Sequence, residues 1–357
     1  MIKKIEEIQN VKIKSIFEFL CENVEEKLLT KTGKISKDMQ GSEKIIRSIK
    51  LKESILENTS LFTIEKIKIN GRQEISVNKI EIDKPIAEII LATYKKNFER
   101  TIIKNNYQII DYNIEFELAK EHKIMLEAKD NVHKLNEIIG KINNFNDCSA
   151  LIDFNKLSFF VIKIEYNGKE ILFFEKFDKI MKLDKTRLMK FFSRRNEKKF
   201  NMVGGNFLYI KYDLPCFLFD NEMYIMRKHT FEAIFDYEEK YKETCCNREN
   251  LNFISDLDIF SDFDNFKTEL DTNNMNVLRK FAGIIQEKNM VQSLFQDFNE
   301  IKKLIRDQKI SNLIIIENDK INVEKSNLQS ILKLLNRDHL KHPITKENFE
   351  SNSKIKR

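Results

Sequence analysis

Residues 216–237, CFLFDNEMYIMRKHTFEAIFDY, decide the fold of the second half of the chain. Residues 217–219 are typical of a short buried strand, and the dipeptide at 220–221 is typical of a tight turn. Apolar and polar residues alternate through the return strand at 222–226. Apolar positions then recur at helical spacing, and the Thr230 hydroxyl is placed to cap the start of a helix. The pattern therefore predicts a hairpin followed by a helix.

Four short patterns recur in a fixed order from about residue 150 to about residue 355. They are an Asn-Gly hairpin that ends in an aromatic-Lys-Phe stretch, a strand pair, a helix start and a carboxy-terminal tail. Their residues are Phe174, Glu175, Lys176 and Phe177; Phe219, Asp220, Tyr224 and Ile225; Phe231, Glu232, Ile234 and Phe235; and Leu340, Thr345, Phe349 and Lys354. In order and spacing the chain resembles the KwaB-like proteins, the cytoplasmic component of the bacterial Kiwa anti-phage system.

The resemblance implies a function that the residue patterns alone do not predict. KwaB-like proteins are understood as DNA-binding effectors, so it implies an anti-phage defence protein that binds double-stranded DNA without covalent chemistry. It also implies a membrane-protein partner from the same system, which would recruit the chain to the inner membrane. Finally, it favours self-association as a homodimer or a higher homo-oligomer.

The length and composition favour two domains, and the mixture of helical and strand patterns along the chain predicts the α+β class. The chain has 357 residues, of which 41% are hydrophobic, enough to fill one large core or two ordinary ones. A polar stretch at 143–147 marks the expected boundary. We expect an amino-terminal α+β domain at 1–147, whose role the sequence does not indicate. Residues 148–357 would form a KwaB-like domain with antiparallel hairpins and a helical carboxy-terminal part.

Charge and cysteine content exclude several classes of protein. The net charge is only +6, so any anion-binding role must come from local clustering. Five cysteines without a paired Cys-x-x-Cys indicate neither a disulfide framework nor a zinc site. No apolar run has the ~18 residues that a membrane span needs. We expect a cytoplasmic protein with no metal and no cofactor.

The amino-terminal half mixes helical and strand patterns. Asn70-Gly71 suits a type I′ hairpin turn, and Asp83 can cap a helix that runs to Phe98. Predicted helices lie at 13–28, 42–57, 84–98 and 132–142, and predicted strands at 61–69, 74–82, 107–118 and 124–126.

Hairpins and helices alternate in the other half. Asn167-Gly168 separates strands at 157–166 and 169–174, and Asn318-Asp319 separates strands at 313–317 and 321–323. Ser326 and Gln329 have the spacing of a capping box for the helix that follows. The acidic stretch at 252–271 reads as a capped connecting region, because it lacks the glycine of a calcium loop.

A basic segment at 176–199 is the candidate site. This stretch contains ten basic and three acidic residues. Its net charge of +7 is larger than the net charge of the whole chain, which is +6. We expect this stretch to be helical, with apolar residues on one side and cations on the other. Such clusters contact DNA phosphates and carry little base information, although a solvated lysine-rich face is the alternative. The predicted nucleic-acid-binding residues are Lys179, Lys182, Lys185, Arg187, Lys190, Arg194, Arg195, Lys198 and Lys199. Arg227, Lys228 and His229 could extend that surface.

One pattern suggests catalysis instead. Asp111, Glu127 and Lys129 follow the order found in Mg²⁺-dependent nucleases, where two carboxylates hold the metal. Glu-x-Lys also occurs elsewhere in this Lys-rich and Glu-rich chain, so we assign no catalytic residue and keep the nuclease as an alternative. A non-enzymatic scaffold, whose basic segment binds an acidic protein surface, is a third possibility.

Five apolar residues form a short heptad seam, with successive steps of three and four. It predicts either burial inside the domain or a contact between two copies. The oligomer-interface candidates are Val291, Leu294, Phe298, Ile301 and Ile305.

Overall fold

The computed structural model describes most of the chain. The described residues are 4–28, 44–69, 72–99, 108–114, 123–145, 156–177, 189–194, 197–202, 214–271, 274–294, 298–307, 314–336, 338–341 and 348–350. They divide into two units, one formed by residues 1–110 and 121–234 and the other by residues 111–120 and 235–357. The predicted α+β class is confirmed.

A sheet of eight strands dominates the first unit, and its neighbouring strands from β4 to β6 pair antiparallel. In spatial order the strands are β4, β3, β7, β8, β11, β12, β6 and β5, so the sheet takes four strands from each side of residue 147. The boundary predicted at Asp147 lies outside the described residues. The strand bounds are β1 Cys21–Leu28, β2 Lys44–Leu51, β3 Thr59–Ile69, β4 Arg72–Ile80, β5 Gln108–Asp111, β6 Lys123–Ala128, β7 Leu157–Tyr166, β8 Lys169–Lys176, β9 Met189–Arg194, β10 Glu197–Met202, β11 Cys216–Phe219 and β12 Glu222–Ile225.

Two predicted hairpins form the middle of this sheet. Asn167 and Gly168 have φ values of 51° and 71°, and Asp220 and Asn221 have φ values of 49° and 60°. Positive φ at both central residues defines the type I′ turn, whose twist matches that of antiparallel strands. The register follows: Tyr166 pairs with Lys169 in one hairpin, and Phe219 pairs with Glu222 in the other. Both hairpins are confirmed.

Helices cover both faces of the sheet. They are α1 Val11–Leu20, α2 Glu53–Glu57, α3 Lys84–Phe98, α4 Leu135–Asn143 and α5 Lys228–Ile234. The first three pack on one face, where the rings of Phe17 and Phe98 lie 5.9 Å apart. On the other face, α4 contacts β4 and α5 contacts β8. There the Lys66 ammonium group donates to the carbonyl oxygen of Ile234, at 2.9 Å, at the carboxyl end of α5.

Burial on both sides explains the composition of the central strands. Phe159, Phe160, Val161 and Ile162 are consecutive in β7 and none of them is exposed to solvent. Since successive residues point to opposite faces, such a run forms only where each face has a cover.

Aromatic rings join β8, β11 and β12 to α3. Phe217 stacks on Tyr224 with centroids 4.6 Å apart and planes 5° apart, and it meets Phe98 edge-on at 5.2 Å. One polar contact lies beside this cluster. The Tyr94 hydroxyl donates to Glu175 at 3.0 Å, and burial raises the pKa of Tyr94 well above its usual value, so the phenol stays a donor.

Two strands, β1 and β2, occupy positions where the sequence predicts parts of helices at 13–28 and 42–57, so both helical predictions are wrong there. Helix α1 ends at Leu20, and β1 pairs with β2 from Cys21 opposite Leu51 to Leu28 opposite Lys44. Only α2 remains of the second predicted helix. The β-branched residues Ile45, Ile46 and Ile49 favour a strand once a partner strand supplies the hydrogen bonds.

Helix starts test the predicted caps. The Asp83 side chain accepts from the backbone N–H of Ile86 at 3.1 Å, which confirms that cap. Helix α5 begins at Lys228, two residues before the predicted start at Thr230. At residue 326 the predicted capping box is wrong, because the Ser326 hydroxyl donates to Glu324 and the N-cap position is held by Asn327.

The second unit is built mainly from helices around α9. Among the described residues, its elements are α6 Tyr237–Cys246, α7 Arg248–Ser255, α8 Phe263–Leu270, α9 Met275–Gln286, α10 Lys288–Leu294, α11 Phe298–Asp307, α12 Leu328–Leu335 and the short strands β13 Ile315–Glu317, β14 Lys320–Asn322, β15 His339–Lys341 and β16 Asn348–Glu350. Helix α9 contacts α6, α10 and α12. Its Lys280 forms a buried ion pair with Asp338, which also accepts from the Asn336 amide at 3.0 Å. The predicted hairpin at Asn318-Asp319 is confirmed.

The aromatic cluster yields a prediction about stability. Phe217→Ala removes a side chain that is not exposed at all, so we expect the free energy of unfolding to fall by about 3–5 kcal/mol. Urea denaturation followed by circular dichroism measures this change. The matched control is Ile89→Ala, since Ile89 is 67% exposed on α3 and its loss should cost less than ~0.5 kcal/mol. Equal losses for the two variants would contradict the proposed role of the cluster.

Candidate nucleic-acid interface

The basic segment contains a β-ribbon where a helix was predicted. Strands β9 and β10 pair with each other as a separate two-stranded antiparallel sheet, so the helical prediction is wrong for residues 189–194 and 197–199. Four predicted DNA-binding residues lie in this ribbon, namely Lys190 and Arg194 in β9 and Lys198 and Lys199 in β10. The other five, Lys179, Lys182, Lys185, Arg187 and Arg195, lie outside the described residues.

The ribbon lies in a long excursion between two neighbouring strands of the large sheet. Strands β8 and β11 pair directly, with Phe174 opposite Cys216. The chain between them contains the whole ribbon. Residues 189–202 carry five basic side chains and one acidic one, a net charge of +4. Positive charge is thus concentrated on a two-stranded element that is not part of the eight-stranded sheet.

The register of the ribbon shows a feature that was missed in the sequence. Lys190 pairs with Asn201, Phe192 with Lys199, and Arg194 with Glu197. Asn201 was not among the predicted site residues. The signal that could have found it is the pattern of residues 189–202, in which Met189, Phe191, Phe200 and Met202 keep a period of two within each strand.

The corner after β12 adds less charge to the surface than predicted. The side chain of Lys228 is only 10% exposed and lies 3.8 Å from Glu232, which is 6% exposed. Arg227 and His229, on either side of it, are both exposed. Lys228 therefore serves the packing of α5, and it is not available to extend a basic surface.

The structure places the three residues of the nuclease alternative at the ends of β5 and β6. Glu127 accepts hydrogen bonds from the backbone of Ala128 and from the Asn131 amide, both at 2.9 Å. The Lys129 N–H donates to the Asn221 carbonyl at 3.0 Å, where it joins the end of β6 to the β11–β12 turn. Asp111 is exposed at the end of β5. Among the described residues, no three or more His, Cys, Asp or Glu side chains are grouped so that they could hold a metal ion.

The heptad residues lie largely inside the chain. Val291 is 2% exposed, Ile301 is fully buried and Ile305 is 2% exposed. Leu294 ends α10, and Phe298 begins α11 and is half-buried. Burial of these three side chains agrees with the first alternative, in which the seam packs inside the domain. A contact between two copies at this seam stays a prediction.

Three of the four described cysteines are chemically protected. Burial raises the pKa of Cys21 and of Cys245 to about 12, and it also raises the pKa of Cys216. All four are free thiols, and only Cys246 is exposed. Because the thiolate is the reactive form, the three buried groups are inert near neutral pH.

The fold and the ribbon together define a class of protein. The chain is an α+β protein with an antiparallel sheet unit, a helical unit and a separate basic ribbon. None of the helices in the described ranges is long and apolar enough to cross a bilayer. The model of the family described as Kiwa protein KwaB-like matches residues 154–345, and the chain belongs to that family. It is thus a component of Kiwa anti-phage defence. Searches of curated proteins and of solved structures gave no match.

The cysteine environments predict one reactive thiol. In a Cys148→Ser background, which leaves the four described cysteines, a disulfide reagent at about pH 8 should modify Cys246 rapidly and the others only on unfolding. Absorbance of the released thiolate measures the rate, and the denatured protein should show four reactive groups. Rapid reaction of a second thiol in the folded protein would show that burial does not protect these groups.

Proposed function

We propose that the chain is a DNA-binding effector of Kiwa defence that contacts phosphates through the basic segment and acts with a membrane protein of the same system. The observation that carries the proposal is the concentration of charge, +7 over residues 176–199 in a chain whose total is +6. Membership of the KwaB-like family supports it, because the family places the chain in a defence system against phage.

The charge favours phosphate contact for a physical reason. Each cation that neutralises a phosphate releases a condensed counterion, so the gain in free energy depends on salt and grows with the number of contacts. A cluster of cations on one segment therefore binds DNA better than the same charge spread over the surface. The ribbon brings four of these residues onto two paired strands.

In this function the protein carries out no covalent chemistry. Glu127 is held by two local hydrogen bonds, and Lys129 lies in the 3₁₀ helix Lys129–Asn131, where its backbone joins a turn. The side chain of Glu127 is thus engaged in local hydrogen bonds at the end of β6. Binding that leaves DNA intact, in the presence and absence of Mg²⁺, separates this function from that of a nuclease.

Charge reversal tests the proposal. Arg194→Glu with Arg195→Glu should weaken binding to a fluorescent duplex at least about tenfold at low salt. The plot of log Kd against log salt should also become flatter, by ~0.9 for each phosphate that the variant no longer neutralises. Fluorescence anisotropy across a salt series, with and without Mg²⁺, gives both quantities, and a gel of the same samples reports cleavage.

The matched control has the same change in charge at a different place. Lys242→Glu with Lys267→Glu also removes four positive units, on side chains that are 41% exposed in the second unit. Binding by this control should change much less than binding by the arginine variant. If the arginine variant binds as tightly as the wild type, the assignment of the segment is wrong; if the wild type binds no DNA at any salt concentration, the scaffold alternative replaces the proposal.

The membrane partner gives a separate expectation. Expressed alone, the chain should stay in the supernatant after high-speed centrifugation, and co-expressed with the membrane protein of its own system it should sediment with the membranes. Immunoblotting of both fractions measures the distribution. An unrelated membrane protein expressed at the same level is the control, and sedimentation with either protein alike would contradict specific recruitment.

A further inference from the structure

The hairpin of β13 and β14 has one occupied edge and one open edge. In β14, the N–H of Ile321 donates to the carbonyl oxygen of Ile259 at 2.7 Å, and its carbonyl oxygen accepts from the N–H of Ser261 at 3.0 Å. These two bonds occupy the outer edge of β14. Among the described residues, β13 pairs with β14 alone, so the outer edge of β13 is open.

The register identifies the backbone groups at that open edge. Ile316 of β13 pairs with Ile321 across the hairpin. In an antiparallel ladder, pairs that exchange hydrogen bonds alternate with pairs whose N–H and C=O groups point away from each other. Because the groups of Ile321 point outward to Ile259 and Ser261, those of Ile316 point outward on the other side. Neither group of Ile316 has a hydrogen-bond partner in the part of the chain that the structure describes.

A cavity of about 550 Å³ runs along this edge. Its lining includes Ile315 and Ile316, which are consecutive in β13. Since consecutive side chains of a strand point to opposite faces, a cavity that reaches both lies at the edge of the strand. The opposite wall is α11, which contributes Lys302, Ile305 and Arg306 at helical spacings of three and four. The cavity is therefore a groove between an open strand edge and a helix.

The groove combines apolar surface with one cation that has no acidic partner among the described residues. Ile315 is 39% exposed although it is apolar, and Ile305 is buried. Lys302 forms an ion pair with Asp319 at the hairpin turn. Arg306 is exposed, and its Nε atom donates to the carbonyl oxygen of Lys302 at 3.4 Å. The charged residues of the lining thus leave a net charge of +1, which an anionic group of the occupant can match.

We propose that the groove binds an extended peptide, which adds a strand to β13 and places an Asp or Glu side chain against Arg306. An extended backbone supplies both the donor and the acceptor that the groups of Ile316 lack. A carboxylate matches the guanidinium group of Arg306, with which it can form two parallel hydrogen bonds. Because β13 has only three residues, side chains of the peptide supply much of the affinity. This inference does not depend on the proposed DNA binding.

Peptides without free termini test the proposal. In an array of acetylated and amidated peptides of about ten residues, Val alternates with Asp, Lys or Ser, and the protein should bind the Asp members best. N-methylation of the best peptide should weaken binding about tenfold at the residue that faces Ile316 and less than about twofold at its two neighbours, because only alternate N–H groups of a strand face one partner. An array without bound peptides, or equal effects of N-methylation at all positions, would overturn the proposal.

Two pairs of variants separate the backbone from the charge. Ile316→Pro removes the N–H at an open edge, where proline is tolerated, and Ile316→Val keeps it. The proline variant should bind the Asp peptide at least about tenfold more weakly, and the valine variant should bind it like the wild type. Arg306→Glu should bind the Asp peptide about tenfold more weakly and the matching Lys peptide more tightly. Lys303→Glu, exposed on the same helix outside the cavity lining, should change either affinity much less.

A second copy of the chain is the alternative occupant of the edge. Sedimentation velocity of the wild type and of Ile316→Pro distinguishes the two occupants. If the proline variant dissociates an oligomer and no peptide binds, the edge pairs copies of the chain and the proposal is wrong. Unchanged peptide binding by Ile316→Pro and Arg306→Glu, both folded by circular dichroism, would also contradict it. Peptides and DNA are different ligands, so failure of this inference and failure of the proposed function are distinguishable.

Discussion

The packing of Phe217 is the interaction on which the first unit depends. Its ring stacks on Tyr224 in the neighbouring strand and meets Phe98 of α3 and Phe173 of β8. It therefore ties three strands of the sheet to the helix above them. Leu218, the next residue in the strand, is buried on the opposite face. The sheet consequently needs a cover on each side, and α1 to α3 and α4 with α5 supply these covers.

Local chemistry made part of this fold predictable. Asn167-Gly168 and Asp220-Asn221 both have turn geometries that their residue types favour, so the hairpins and their register followed from the sequence. Asp83 with Pro85 gave the start of α3 in the same way. In each case the decisive contacts join residues a few positions apart, which is the range over which a sequence pattern is informative.

The errors occur where the partner lies far along the chain. Strand β1 pairs with β2 across a separation of up to thirty residues, from Cys21 to Leu51. The sequence near residue 21 contains no pattern that predicts this partner. In the ribbon, a count of lysines over residues 176–199 hid the alternation that marks a strand. The candidate site was found through its charge, which is a property of composition, but its faces depend on the pairing of two strands. Only the register could place Asn201 beside Lys190.

The position of the ribbon in the chain explains how so much charge fits a protein with a two-sided core. Strands β8 and β11 pair with each other whatever lies between them, since Ile171 to Phe174 are opposite Phe219 to Cys216. Lengthening a connection costs little, about 0.6 kcal/mol per doubling, so an excursion between paired strands can be long. The eight strands of the large sheet need apolar residues at the positions that they bury. A connection between two strands does not have to meet this requirement. Cations that neither buried face of the sheet could hold are thus gathered in one segment, and this local density of positive charge is higher than the net charge of the chain alone would give.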